Sequence, residues 1–302
     1  MSLTETPLVA TDDRSNRRPS PNRRSLFTGI VTMLASGASN QVGAAVGSHA
    51  FPSIGPVGMV AVRQFVAAAI LVPVVRPAFR RFTWAQWWPT LCLGVVFAVM
   101  NIGLYSAIDR IGLGLAVTLE FLGPLAVGLA GSRGRLELLC AVGAGIGVYV
   151  LILPGPSTDY LGVALGLLAA ACWAAYILLN RLLGVRLPGL QAPAAATSVS
   201  ALIYLPVAAV LITNGQFGGS GLLYAAVAGV LSSVVPYVAD LLALRRISAS
   251  FFGVFMSVNP VLAAVSGMLL LGQVPALNEW IGIVVVVVAN GLVTIAAANR
   301  KR

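Results

Sequence analysis

Ten stretches of the chain are nearly unbroken runs of apolar residues: roughly 26–47, 54–75, 86–107, 112–131, 136–153, 160–181, 192–213, 221–243, 249–271 and 277–298. Each approaches the length of about 20 residues that a helix needs to cross the hydrocarbon core of a bilayer. The runs are continuous, whereas a strand of a membrane barrel alternates apolar and polar positions over about 10 residues. The pattern therefore predicts an all-α integral membrane protein with ten transmembrane helices and no room for a soluble domain. Residues 1–25 break the pattern, because SNRRPSPNRR is polar, proline-containing and basic. We read them as a disordered basic cytoplasmic tail and not as a cleaved signal, since the polar lead is long and the first apolar run exceeds a signal's apolar core.

Composition sharpens this picture. Of 302 residues, 58% are hydrophobic and 9% charged, and the mean hydropathy is +0.93. A soluble domain carries about 25% charged residues, so the excess apolar surface here has to face lipid. The partner read directly from composition is thus the bilayer. Cys92, Cys140 and Cys172 all fall inside apolar stretches and imply no disulfide framework. A single histidine, His49, is too little for a His-based metal centre, and neither a metal nor a cofactor is expected.

A net charge of +10 would suggest nucleic acid in a soluble protein, so its placement matters. Arg14, Arg17, Arg18, Arg23 and Arg24 lie in the tail, and Arg76, Arg80 and Arg81 follow the second stretch. Arg133 and Arg135 follow the fourth, Arg181 and Arg186 the sixth, Arg245 and Arg246 the eighth, and Arg300, Lys301 and Arg302 end the chain. Seventeen of the 19 basic residues thus fall on one side if the ten stretches alternate in direction; Arg110 falls on the other, and Arg63 lies within the second stretch. The positive-inside rule then puts both termini in the cytoplasm. The basic charge is a topology signal and requires no nucleic-acid partner.

The chain also repeats itself. AIDRI at 107–111 is followed by Pro124, and ALRRI at 243–247 by Pro260, with 13 residues from Ile to Pro in each case. Each copy sits at the same junction of a five-stretch half, the halves being 26–153 and 160–298. Five is odd, so the second half enters the membrane in the opposite sense. Inverted repeats with a site near the midplane are a recurring transporter plan.

Three formal charges lie at least three residues inside the ends of the stretches: Arg63, Glu120 and Asp240. A charge at the bilayer centre costs about 2.5–3.5 kcal/mol on insertion scales and normally faces a partner or water. Arg63 and Glu120 enter from the same side and lie about 12–14 Å deep at 1.5 Å per residue. One reading makes them the walls of a substrate cavity, the guanidinium for a carboxylate and the glutamate for an ammonium group, together suited to a zwitterion. The other makes them a structural ion pair between the second and fourth helices. Asp240, about a turn from Arg245 and Arg246, is a second proton-coupling candidate or a simple partner for those arginines. Asn40, Gln41, Asn101 and Asn259 are polar at mid-helix and serve either the cavity or helix–helix hydrogen bonding. Trp173 and Tyr176 line the pocket or pack. Pro124 and Pro260 kink their helices and free carbonyls at site depth. Gly143/Gly147 and Gly162/Gly166 give small-residue pairs for close helix packing, a homodimer face being a second reading. Trp84, Trp87 and Trp88 form an interfacial belt.

Other chemistry lacks its residues. GGSG at 218–221 is read as a flexible loop, with no histidine following it. There is no phosphate-binding GxxxxGK[ST]. An intramembrane enzyme would need a nucleophile–base or metal set, and a channel a ring of charges or a filter motif. Neither is visible, so the chain reads as no enzyme.

The segments SNQVGAAVGSHAFPSIGPVGMVAVRQ (39–64), GLGLAVTLEFLGPLAV (112–127), ACWAAYILLNR (171–181) and SSVVPYVADLLALRRISASFFGVFMSVNPVLAAVSGMLLLG (232–272) resemble the drug/metabolite transporter superfamily of EamA type. Within it they look most like the threonine and homoserine exporters of bacterial inner membranes. The resemblance spans about 27–298 and covers Arg63 and Glu120. It implies ten helices in two EamA repeats and export of small metabolites from the cytoplasm by proton exchange. Met256 stands where the Ile–Pro spacing aligns Glu120, so the charges differ between the repeats. Two substrates compete on these residues: a neutral amino acid held by Arg63 and Glu120, and an organic cation held by Glu120 alone. Phosphorylated substrates fit poorly, because they want several cations.

Overall fold

Backbone amides in hydrocarbon have no water to bond, so an apolar run there closes its hydrogen bonds within a helix. The structure, a computed structural model, describes residues 23–130, 134–153, 158–216, 219–244 and 256–299, and residues 1–22 of the tail expected at 1–25 lie outside them. The first half contains α1 (Arg23–Ser48), α2 (Phe51–Val75), a 3₁₀ turn (Phe79–Arg81), α3 (Trp84–Ile111), α4 (Leu113–Glu120), α5 (Leu122–Ala130) and α6 (Arg135–Ile152). The second half contains α7 (Tyr160–Gly184), α8 (Gln191–Ile203), α9 (Leu205–Thr213), α10 (Ser220–Gly229), a π-turn (Val230–Val234), α11 (Val235–Leu244), α12 (Asn259–Leu271) and α13 (Leu277–Asn299). Among the described residues there is no strand.

Length and apolar composition qualify five segments to cross a membrane: Phe51–Val75, Trp84–Ile111, Leu113–Ala130, Tyr160–Gly184 and Leu277–Ala296. The bent pair α8 and α9, 46° apart, makes a sixth if taken together. This is fewer than the ten apolar stretches, and the reason is local. α1 carries Ser36, Ser39, Asn40 and Gln41 in its middle, a π-turn interrupts α10–α11, and α12 is described only from Asn259. The outward faces carry Val95, Val142, Ile146, Leu223, Val284 and Val288, all exposed. An apolar surface of this extent is covered by lipid, and the chain is a multi-pass membrane protein.

The breaks follow from the sequence. Gly112 adopts φ +83°, open to glycine without a Cβ clash, and separates α3 from α4. Pro124 removes the donor for the Glu120 carbonyl four residues earlier, and α4 ends there. Packing between the halves is paired. α3 lies on α7 as the α10–α11 unit lies on α1, α3 lies on α8 as α10 lies on α2, and α4 lies on α7 as α12 lies on α1. α2 meets α8, α4 meets α12, and α6 meets α13. The largest core cluster includes Ala50, Ile54, Met59, Tyr105, Ile108, Leu113, Ala225 and Ala263. It fills the end of the bundle that carries the α1–α2 and α3–α4 connections.

Candidate functional site

Beneath that cluster lies a cavity of about 180 Å³. Its wall includes Arg63, Glu120, Asn40, Asn101, Trp173, Tyr176 and Asn259. The residues singled out by depth and polarity in the sequence are thus brought together from α1, α2, α3, α4, α7 and α12. Asp240 lies on α11, and its side chain is outside the described residues.

Arg63 is held by neutral oxygens. Its Nη1 donates to Asn101 Oδ1 at 2.6 Å, its Nε to Ser233 Oγ at 3.1 Å and its Nη2 to the Ser232 carbonyl at 2.9 Å. The Tyr105 ring lies 5.1 Å from Cζ. A guanidinium has five N–H donors; these bonds use three, leaving one on each terminal nitrogen. Glu120 is buried at 5% exposure. Among the described residues its carboxylate has neither a hydrogen bond nor an ion pair. The alternative of an Arg63–Glu120 ion pair locking α2 to α4 is therefore not what forms: α3 stands between these helices and supplies Asn101 instead. The orientation of the Asn101 amide is set on its other side, where its Nδ2 donates to the Phe97 carbonyl at 2.7 Å. This amide orients Arg63 and also lines the cavity.

Ser232 and Ser233, which sequence reasoning misses, have a legible signal in Pro236. Proline has no N–H, so the Ser232 carbonyl four residues before it loses its helical donor, and the π-turn, in which the Val235 N–H bonds the Val230 carbonyl, leaves the Leu231 carbonyl free as well. Both find side chains: the Ser232 carbonyl takes Arg63 Nη2, and the Leu231 carbonyl takes Ser39 Oγ at 2.8 Å. The π-turn lets both carbonyls face α1 and α2. Gly43 permits this contact, since a Cβ there would meet Leu231 Cβ at 2.7 Å and the Ser232 nitrogen at 2.9 Å. At the aligned prolines, the Met256 carbonyl, four before Pro260, accepts from Asn259 Nδ2 at 2.9 Å, while the Phe121 carbonyl, three before Pro124, accepts both the Leu125 amide at 3.4 Å and Asn290 Nδ2 at 3.3 Å. Both Glu120 and Met256 line the cavity.

Aromatic rings also line the wall. Phe121 meets Trp173 edge-on at 4.5 Å between centroids, and Phe97 stacks on Tyr176 at 5.5 Å. The glycine pairs serve internal packing: Gly147 faces Val285, Gly162 faces Ile111, and Gly166 faces Leu119. A Cβ at Gly143 would meet nothing within 4 Å. His49 packs on Tyr224, one turn beyond Ser220, and no hydrogen bond joins it to that serine. Among the described residues no three His, Cys, Asp or Glu side chains gather as a metal site requires. Outside the spans, the Gly162 amide and the Arg110 guanidinium hold the Asp159 carboxyl below its ordinary value.

The profile of the EamA-like transporter family matches residues 160–295. The threonine/homoserine exporter RhtA of Escherichia coli K12 is 37% identical over 247 residues, covering 81% of this chain and 83% of that protein. The chain belongs to the EamA-like transporter family. The RhtA of Salmonella typhimurium SL1344 is 36% identical over the same shares of the two chains. An uncharacterized protein of Pseudomonas aeruginosa is 34% identical over 267 residues, 84% of this chain and 88% of that one. One protein of known crystal structure, 16% identical, superposes with a TM-score of 0.57 over 92% of this chain and 99% of its own, a likeness of fold. The EamA profile runs through Trp173, Tyr176, Ser232, Pro236, Met256 and Asn259 of the cavity wall.

Proposed function

We propose that this chain is a secondary exporter of small neutral amino acids, with threonine and homoserine as the first candidates, and that it works by proton-coupled alternating access. The observation that carries the reading is the unpaired state of the two cavity charges. Arg63 keeps two N–H donors and no carboxylate partner, while the Glu120 carboxylate keeps its full acceptor capacity. A zwitterion supplies what each lacks. The Trp173, Tyr176, Phe97 and Phe121 rings leave room for a short side chain. The names of the E. coli and S. typhimurium relatives point to the same substrates.

The chain crosses a bacterial-type cytoplasmic membrane ten times, with both termini and the tail at 1–25 in the cytoplasm. The halves 26–153 and 160–298 are inverted EamA repeats. This is supported by the matched helix pairings across the halves and by the side of the arginines. With that orientation the cluster around Tyr105, Met59 and Leu113 closes the outer end. Substrate then enters from the cytoplasm. Rocking of one repeat against the other opens the outer end, a proton from outside takes Glu120 and releases the ammonium group, and return to the cytoplasm frees the proton. Asp240 is a second group on the proton's route.

Efflux into everted vesicles tests this with Arg63→Gln and Glu120→Gln. Loss of threonine transport in both is expected. Near-normal transport in both sinks the zwitterion reading. Loss in Glu120→Gln alone assigns the cavity to organic cations.

A further inference from the structure

We propose that Asn40 is the specificity-determining residue of the cavity and reads a hydroxyl on the substrate's side chain. This rests on the reading of the cavity as an amino-acid site and adds a third contact to the two charges.

Four amides line the cavity, and three are hydrogen-bonded to the protein. Asn101 orients Arg63 and bonds the Phe97 carbonyl. Asn259 accepts from Gln41 Nε2 at 3.3 Å and donates to the Met256 carbonyl at 2.9 Å. Gln41 spends one of its two N–H donors on that bond. Among the described residues the Asn40 side chain has neither donor nor acceptor engaged, although it lines the same cavity.

Its position follows from α1. Ser36, Gly37, Asn40, Gln41 and Ala44 line the cavity at spacings of three and four, so they form one helical face with Asn40 at its middle. The backbone there is fixed from both sides. The Asn40 carbonyl accepts from Ser232 Oγ at 2.8 Å, and the Ser232 carbonyl accepts from Arg63 Nη2 at 2.9 Å. Asn40 is therefore one residue removed from the anchor of the guanidinium. A substrate whose carboxylate is held by Arg63 lies in the same cavity that this amide borders.

The chemistry matches in both directions. A hydroxyl offers one donor and two acceptor lone pairs, and a primary amide offers donors and an acceptor. An apolar isostere of the same shape leaves the amide dehydrated and unpaired. A site that hydrogen-bonds a substrate hydroxyl discriminates strongly against an analogue lacking it; for one neutral contact we expect about ten- to a hundredfold.

The test uses the purified full-length protein in proteoliposomes, with exchange of labelled threonine competed by unlabelled threonine or valine. Wild type is expected to prefer threonine by at least about tenfold. Asn40→Leu should bring that ratio close to one, and Asn40→Ser, which keeps a hydrogen-bonding group, should restore part of it. An Asn40→Leu protein with the wild-type ratio overturns the assignment, as does a wild type that exchanges both solutes equally. If Asn40→Leu exchanges nothing, thermal-shift binding of the two solutes to wild type and Asn40→Ser decides: an unchanged ratio overturns the proposal, and a reduced ratio supports it. Failure of the parent reading looks different, because wild type then binds and exchanges neither solute.

Discussion

Replacing Asn101 with aspartate puts a permanent anion where Arg63 now has a neutral acceptor, 2.6 Å from Nη1. With charge centres about 4 Å apart and an effective dielectric constant near 20, the attraction is about 4 kcal/mol. Losing the Asn101 donation to the Phe97 carbonyl offsets about 1 kcal/mol of that. A substrate carboxylate must then compete for an already neutralised guanidinium. At about 1.4 kcal/mol per decade, the remaining 3 kcal/mol corresponds to a Kd weakened by about a hundredfold. Asn101→Ala is the control. It removes one of three anchors while Ser232 and Ser233 still hold the group, so a weakening under about tenfold is expected. The assay is substrate-concentration dependence of threonine exchange in proteoliposomes, with ligand-induced thermal shift as an independent measure of binding. If Asn101→Asp binds threonine as tightly as wild type, Arg63 does not receive the carboxylate and the cavity is not the zwitterion site described above.

Three further outcomes follow from the packing and electrostatics. Gly43→Val should lower the unfolding temperature, because its Cβ runs into Leu231 and Ser232; about 1–3 kcal/mol is expected, whereas Gly143→Ala, with open space around it, should leave the detergent melting curve unchanged. Thr197 Oγ1 is buried without a hydrogen-bond partner among the described residues; Thr197→Val should raise stability by about 1 kcal/mol, or about 2–4 °C in a melting scan. Asp159 caps α7 through the Gly162 amide at 2.8 Å and pairs with Arg110, which lowers its pKa from 3.8. A lowered folded-state value stabilises fully above pH 3.8 and is lost as pH falls through it. Asp159→Asn should therefore flatten the acid limb of the melting temperature below about pH 4, and an unchanged acid limb would show that this cap contributes nothing.

Much of the cavity is legible in the sequence. Arg63 and Glu120 announce themselves because a charge in hydrocarbon needs a reason, and counting residues from the same face puts them at one height. Asn40, Asn101, Trp173, Tyr176 and Asn259 stand out as polar or amphipathic side chains in apolar surroundings. The roles within that set are not legible. Asn101 reads as a substrate ligand, and the structure adds that its Oδ1 anchors Arg63. Gly147, Gly162 and Gly166 offer a dimer face in the sequence and are occupied by Val285, Ile111 and Leu119 of the same chain. Ser232 and Ser233 look ordinary, although Pro236 downstream of them removes the donor for the Ser232 carbonyl.

By itself the sequence determined where the chain is helical, how much of it lipid must cover, and which few residues are out of place in lipid. Those properties are set by composition and by periodicities of a few residues. Tertiary structure alone decided which partner each of those residues has. Arg63 takes the carbonyl of Ser232, 169 positions away, and leaves Glu120 unpaired. The choice lies in how the halves pack: α3 separates α2 from α4, and a π-turn carries two freed carbonyls against α1 and α2. No local rule connects residues so far apart, because their approach depends on the relative placement of whole helices.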